Sequence, residues 1–167
     1  EEIGRGVDKV DMQKLGADFG YTLDGAERGS FEEETFSADS MKFTFHGVAA
    51  HPGHAKDKLV NAIKLASAFI QSLPTDELSP ESTEGRYGFV HPVRTEGNAE
   101  KMVVELIIRD FMTSKLKAYE DYLKDHAEDA MRSFPTARFE YEVKEQYRNM
   151  KEVLEKHPQV SEYAREA

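Results

Sequence analysis

The chain of 167 residues contains no cysteine. Disulfides and thiolate metal sites are therefore excluded, and a reducing compartment is permitted; the cytoplasm is the expected location. No apolar run approaches the roughly 20 residues that a membrane-spanning helix needs. No charged-then-apolar leader pattern opens the sequence. Basic residues are few and scattered: 22 Lys and Arg stand against 32 Asp and Glu, a net charge of −10. A nucleic-acid backbone selects Lys and Arg gathered on one face, so nucleic acid is not an expected partner, and neither is a membrane. Gly4-Arg5-Gly6 lacks the helix pattern and Lys-Thr or further Gly of a phosphate loop. No serine nucleophile motif, internal repeat or low-complexity tract occurs. The sequence also lacks an initiator methionine, and its first residues, Glu1-Glu2-Ile3-Gly4-Arg5-Gly6, with paired carboxylates, already look like the middle of a site, so it reads as a piece of a larger enzyme. What is present, 39% hydrophobic and 32% charged residues, suits one soluble globular domain, or a domain with a remnant of another.

Residues 1–40 are rich in Gly and acid, with Phe19-Gly20-Tyr21-Thr22-Leu23 as a short strand among loops. From residue 41 the pattern becomes regular. Met41, Phe43 and Phe45 alternate with Lys42, Thr44 and His46, the period of a half-buried strand, broken at Pro52-Gly53. Leu59, Ile63, Ala66, Ile70 and Leu73 form a helical stripe ended by Pro74. A polar loop over 75–86 leads to a short strand, Tyr87 to Val90, and Val93 to Ala99 reads as a turn. The β-branched run Met102 to Ile108 reads as a central strand buried on both faces. Thr113 or Ser114 is placed to cap the next helix. The stripe of that helix is Leu116, Tyr119, Leu123, Ala127, Ala130 and Phe134, stopped by Pro135. Phe139, Tyr141 and Val143 mark a last half-exposed strand, and residues 149–167 read as helical. The order strand, helix, strand, strand, helix, strand predicts an α+β, ferredoxin-like βαββαβ fold. Its four-stranded antiparallel sheet carries two helices on one face. Phe43, Phe45, Phe69, Phe134, Phe139 and Tyr141 are the expected core aromatics.

Several residue types suit chemistry. Glu1 and Glu2 are adjacent carboxylates, and Asp24 stands alone in Tyr-Thr-Leu-Asp-Gly (21–25). Carboxylates are hard zinc ligands and adequate bases for a metal-bound water, although acidic pairs are more often solvated surface. His51, in Ala-His-Pro-Gly at the strand exit, is either a loop histidine or a donor to a developing oxyanion. His51 and His54 are separated by Pro and Gly, which disfavours a shared metal on a helix. Arg109 ends the apolar strand; it either pairs with Asp110 or forms a bidentate clamp on a peptide carboxylate. Asn61 and Lys58 read as cap or surface, and Tyr147 and Asn149 have no chemical role readable from sequence.

Glu-Glu-Ile-Gly-Arg-Gly (1–6), Tyr-Thr-Leu-Asp-Gly (21–25), Ala-His-Pro-Gly-His-Ala-Lys (50–56), Leu-Val-Asn-Ala (59–62), Thr-Glu-Gly-Arg-Tyr-Gly-Phe (83–89), Ile-Ile-Arg-Asp-Phe (107–111) and Tyr-Arg-Asn-Met-Lys (147–151) occur in order over nearly the whole chain. This ordered set resembles the peptidase T family of di-zinc tripeptide aminopeptidases. The wider resemblance is to the metallopeptidase clan that also holds aminoacylases and carboxypeptidase G. The resemblance implies a ferredoxin-like lid or dimerisation domain over 41–151, inserted between a catalytic-domain remnant (1–40) and a return segment (152–167). It implies Glu1 as general base, Glu2 as a ligand of one zinc, Asp24 as a ligand of the other, and His51 and Arg109 as substrate-binding residues. The remaining zinc ligands, two His and a bridging Asp, are absent here, so the chain by itself is expected to be inactive. The implied substrate is a tripeptide losing its N-terminal residue, and the implied partner is a second copy pairing through the lid. In the clan the lid histidine often reaches the partner's site; the alternative is that the domains close around substrate within one subunit, with His51 acting there. The alternatives are a non-catalytic dimerisation module, or a related dipeptidase or deacylase. His51 and Arg109 are expected to open toward a common hollow.

Overall fold

The computed structural model describes residues 9–23 and 28–167. Its elements run α1 (Met12–Leu15), β1 (Ser37–His46), α2 (Ala62–Ser72), β2 (Phe89–Gly97), β3 (Lys101–Asp110), α3 (Thr113–Met131), β4 (Arg138–Tyr147), α4 (Lys151–Leu154) and α5 (Pro158–Glu166). The chain divides into two compact units, Glu34–Glu152 and Glu1–Glu33 with Val153–Ala167.

In the larger unit the four strands form one antiparallel sheet in the order β2-β3-β1-β4. Met41, Phe43 and Phe45 project to the same face as Leu106, Val104 and Met102, their partners on β3. Helices α2 and α3 cover that face. The core consists of these residues with Leu65, Ala66, Phe69, Ile108, Leu116, Leu123 and Ala127. Each large side chain buried here is worth about 1.5–3 kcal/mol of transfer free energy. The sheet order and the helices on one face are those of the βαββαβ fold expected from the pattern.

Several local expectations are corrected. β1 starts at Ser37, because Ser37 and Ala38 continue the pairing with Asp110 and Arg109; the polar Ser37, Asp39 and Ser40 hide the alternation. β2 runs on through residues 93–97, which read as a turn. That half pairs with β3 without burying side chains, so it carries no apolar period. The true turn is Asn98–Glu100, where Asn98 Oδ1 accepts the Glu100 and Lys101 amides at 2.9 and 3.2 Å. β3 is buried on one face only: Val104, Leu106 and Ile108 are enclosed, while Val103 and Ile107 on the open face are half-covered. The buried stripe of α2 is Ala62, Leu65, Ala66 and Phe69; Ile63 and Leu59 stay exposed. Asn61 caps that helix by accepting the Ile63 amide at 2.9 Å. Neither Thr113 nor Ser114 caps α3. The N-cap is Met112, whose amide donates to Asp110 Oδ1 at 2.7 Å. Among the expected core aromatics, Tyr141 is 43% exposed because β4 is an edge strand.

In the smaller unit, Phe19 to Leu23 form no strand. Phe19 instead packs on Tyr21 and Tyr163, and the Tyr21 hydroxyl donates to the Val160 carbonyl at 2.6 Å. The C-terminal stretch is two helices, broken before Pro158, which occupies the first turn of α5.

Candidate functional site

Glu1, Glu2 and Asp24 lie outside the described residues. Among the described residues no group of three or more His, Asp or Glu is placed to hold a metal ion.

His51 precedes a short 3-10 turn, Pro52–His54, and its Nδ1 accepts the Gly53 amide at 3.1 Å. A ring nitrogen that accepts carries no proton, so the neutral imidazole keeps its hydrogen on Nε2. Nε2 has no hydrogen-bond partner among the described residues, which leaves it able to donate. The His54 ring lies 6.0 Å away. The loop carrying His51 is tied to one end of the sheet: Val48 bridges Val60, and the Gly47 amide donates to the Glu100 carbonyl in the β2–β3 turn. An open groove of about 570 Å³ at this end is lined by His46, Gly47, Val48, Lys101, Thr136 and Arg138, among others.

Arg109 is at the other end. It pairs with Ala38, whereas His46, the last residue before the His51 loop, pairs with Lys101. Eight residues of strand separate Ala38 from His46, roughly 27 Å at about 3.3 Å per residue. The expectation of a common hollow is therefore corrected. Antiparallel pairing gives β1 and β3 opposite directions, so the exit of one strand meets the entry of the other. His51 and Arg109 therefore belong to opposite ends of the sheet.

The Arg109 end is densely hydrogen-bonded. Arg109 Nη1 donates to the carbonyls of Ile108 and Asp39 at 3.0 and 3.4 Å, and its guanidinium lies 5.3 Å from the Tyr147 ring centre. Arg148 Nη1 donates to Asp39 Oδ1 at 2.7 Å and to the Ala38 carbonyl at 3.1 Å, and Nη2 reaches Glu145 at 2.7 Å. The Asp39 carboxylate, buried at 3% exposure, holds the Arg148 guanidinium above its ordinary pKa. Glu120 on α3 is pushed above the usual carboxyl range, first by burial and then by hydrogen bonding with Asp39. Burial, with the hydrogen bond to Asp110, raises the Tyr119 phenol.

Sequence reasoning had no role for Tyr147 and Asn149, and the structure supplies contacts for both. Asn149 Oδ1 accepts the amides of Thr35 and Lys151 at 3.1 and 2.9 Å, and Nδ2 donates to the Phe111 carbonyl at 3.0 Å. The only sequence signal was their position in the Tyr-Arg-Asn-Met block, since neither follows a periodic pattern.

Residues 34–135 match the peptidase dimerisation domain family. Peptidase T of Clostridium acetobutylicum is 43% identical over 155 residues, which is 93% of this chain and 38% of that protein. Peptidase T of Exiguobacterium sibiricum is 42% identical over 167 residues, 100% of this chain and 40% of its own length. The chain thus spans about two fifths of the curated relatives it matches. Aminopeptidase PepT of Bacillus cereus superimposes with a TM-score of 0.67 at 22% identity, covering 95% of this chain and 44% of the other. A tripeptidase of Staphylococcus aureus gives 0.69 at 22% identity, covering 89% and 40%. These two share its fold. The chain belongs to the peptidase dimerisation domain family.

Proposed function

We propose that the chain is the lid and dimerisation domain, with flanking catalytic-domain segments, of a zinc aminopeptidase that removes the N-terminal residue of tripeptides in the cytoplasm. The observation that carries this reading is the 42% identity to a peptidase T over the whole chain. In it, Arg109 grips the C-terminal carboxylate of the peptide and His51 donates Nε2–H to the oxyanion. Glu1 serves as the base, and Glu2 and Asp24 as metal ligands. Two carboxylate ligands do not by themselves fit a di-zinc centre, which also needs two His and a bridging Asp that this chain does not supply. The chain alone is accordingly inactive.

The separation of His51 from Arg109 favours a site shared by two copies. β2 and β4 each have one edge unpaired within the sheet. Antiparallel pairing of an edge with the same edge of a second copy lays opposite sheet ends side by side. His51 of one copy then approaches the Arg109 end of the other.

The test is hydrolysis of trialanine by the full-length protein before and after chelation, beside the 167-residue chain alone. Chelator-sensitive release of N-terminal alanine by the full-length protein, with none by the chain, is expected. Turnover by the chain alone, or chelator-resistant turnover by the full-length protein, overturns the reading.

A further inference from the structure

On the open face of the sheet Arg109, Ala38 and Tyr147 stand in one row across β3, β1 and β4, since Ala38 pairs with both of the others. Neighbouring strands lie about 4.8 Å apart, so the backbones of Arg109 and Tyr147 are roughly 10 Å apart across β1. Their side chains nevertheless meet, guanidinium over ring, at 5.3 Å. They do so by leaning over the one small residue between them. Ala38 is fully buried although α2 and α3 cover the opposite face. Any larger side chain at position 38 would stand where the two meet.

The backbone beside this row is also built for the contact. Pairing of β1 with β4 shifts register between Ala38 and Asp39. Arg148 ties the shifted segment through the Ala38 carbonyl, the Tyr147 carbonyl (3.3 Å) and the Asp39 carboxylate. The Asp39 carbonyl accepts from Arg109 Nη1 at 3.4 Å. Nη1 is thus committed to backbone and one guanidinium face to the Tyr147 ring. Nη2 and Nε have no hydrogen-bond partner among the described residues, and together they form one edge of the guanidinium fork that a carboxylate accepts bidentately.

We propose that Tyr147 is a positioning residue that holds Arg109 as a ready-made carboxylate clamp, with Ala38 as the gap that lets them meet. The inference rests on the reading of Arg109 given above. It assigns Tyr147 a contribution to ground-state affinity for the free carboxylate terminus: a guanidinium stacked on a ring loses fewer rotamers on binding.

The test compares trialanine with its C-terminal amide in the full-length protein. Y147L is expected to raise KM for the free acid roughly three- to tenfold with kcat unchanged, and to leave the amide unaffected. Y147F, which keeps the ring, is expected to behave as wild type. R109M is expected to abolish the preference for acid over amide. In the 167-residue chain, the Arg109 side-chain proton resonances are expected to lose the ring-current shift of Tyr147 in Y147L and keep it in Y147F. If R109M abolishes the acid preference while Y147L leaves it intact, the positioning role is overturned and the proposed function stands. If Y147L lowers kcat equally on both substrates, Tyr147 is merely structural and the inference fails. If R109M leaves the preference unchanged, the clamp reading fails and this inference falls with it.

Discussion

Asn149 accepts the backbone amide of Thr35 across 114 positions of sequence, at 3.1 Å. The two chain segments that enter and leave the larger unit are thereby tied to each other. Two further bonds reinforce the tie, the Asn149 amide to Ser37 Oγ at 2.9 Å and the Met150 amide to Thr35 Oγ1 at 3.3 Å, while Asn149 Nδ2 also holds the Phe111 carbonyl just after β3. An amide side chain is the group suited to this place, because it accepts twice on one atom and donates from the other.

N149A leaves the partly buried Thr35 amide and Phe111 carbonyl, and the exposed Lys151 amide, without their partner. The expected loss is about 1–3 kcal/mol of unfolding free energy. N149D keeps the acceptors and loses the donor, so its loss is expected to be smaller. Urea unfolding of the two variants beside wild type measures both, and equal stability of all three would remove the tie from the account.

Gly88 lies against the segment that carries Arg109. A Cβ built there would stand 2.3 Å from Asp110 Oδ2 and 2.7 Å from the Arg109 carbonyl. G88A must therefore push β3 or displace the Asp110 carboxylate from the Met112 amide and the Tyr119 hydroxyl (2.7 Å). The expected cost is about 1–3 kcal/mol, with Arg109 disturbed as well. Thermal unfolding, together with KM for trialanine in the full-length protein, reports the two effects. An unaltered Tm would mean the backbone yields freely there.

Glu120 predicts a pH dependence. Its folded pKa lies above its ordinary value of 4.5, because burial and Asp39 oppose its charge. A carboxyl raised on folding binds more protons in the native state. Its stabilising contribution is therefore complete below about 4.5 and is lost as pH rises through the folded value. E120Q is expected to flatten that decline and to be the more stable protein at neutral pH. Denaturant midpoints from pH 4 to pH 8 for both proteins supply the check. The same slope in E120Q would assign the dependence to another group.

Separation of His51 from Arg109 along the sheet makes a complementation experiment decisive for a shared site. In the full-length protein H51A and R109M are each expected to be impaired. Mixing them under conditions that exchange subunits forms heterodimers with one intact pair of residues. Activity is expected to return to about a quarter of wild type, since half of the dimers carry one good site of two. No recovery on mixing would place both residues' action within one subunit.

Much of the architecture was legible from neighbouring residues. Met41, Phe43 and Phe45, and the α3 stripe of Leu116, Leu123 and Ala127, announce strand and helix because burial on one face imposes a period that local sequence must obey. The elements that were misread are those where this pressure is weak. Half of β2 pairs without burying side chains, and the start of β1 is polar because Ser37 and Asp39 serve hydrogen bonds at the sheet end. In α2, apolar residues on two sides of the helix left its inward face undetermined, and packing chose Leu65 and Phe69 over Ile63.

The order of elements, the fold class and the family likeness were settled by the amino-acid sequence alone, because periodicity and ordered blocks are properties of the chain before it folds. Which residues act together was decided only by tertiary structure. Arg109, Ala38 and Tyr147 share a row, and His51 stands at the far end of the sheet, through strand register. Register is a relation between distant segments, and no local pattern encodes it.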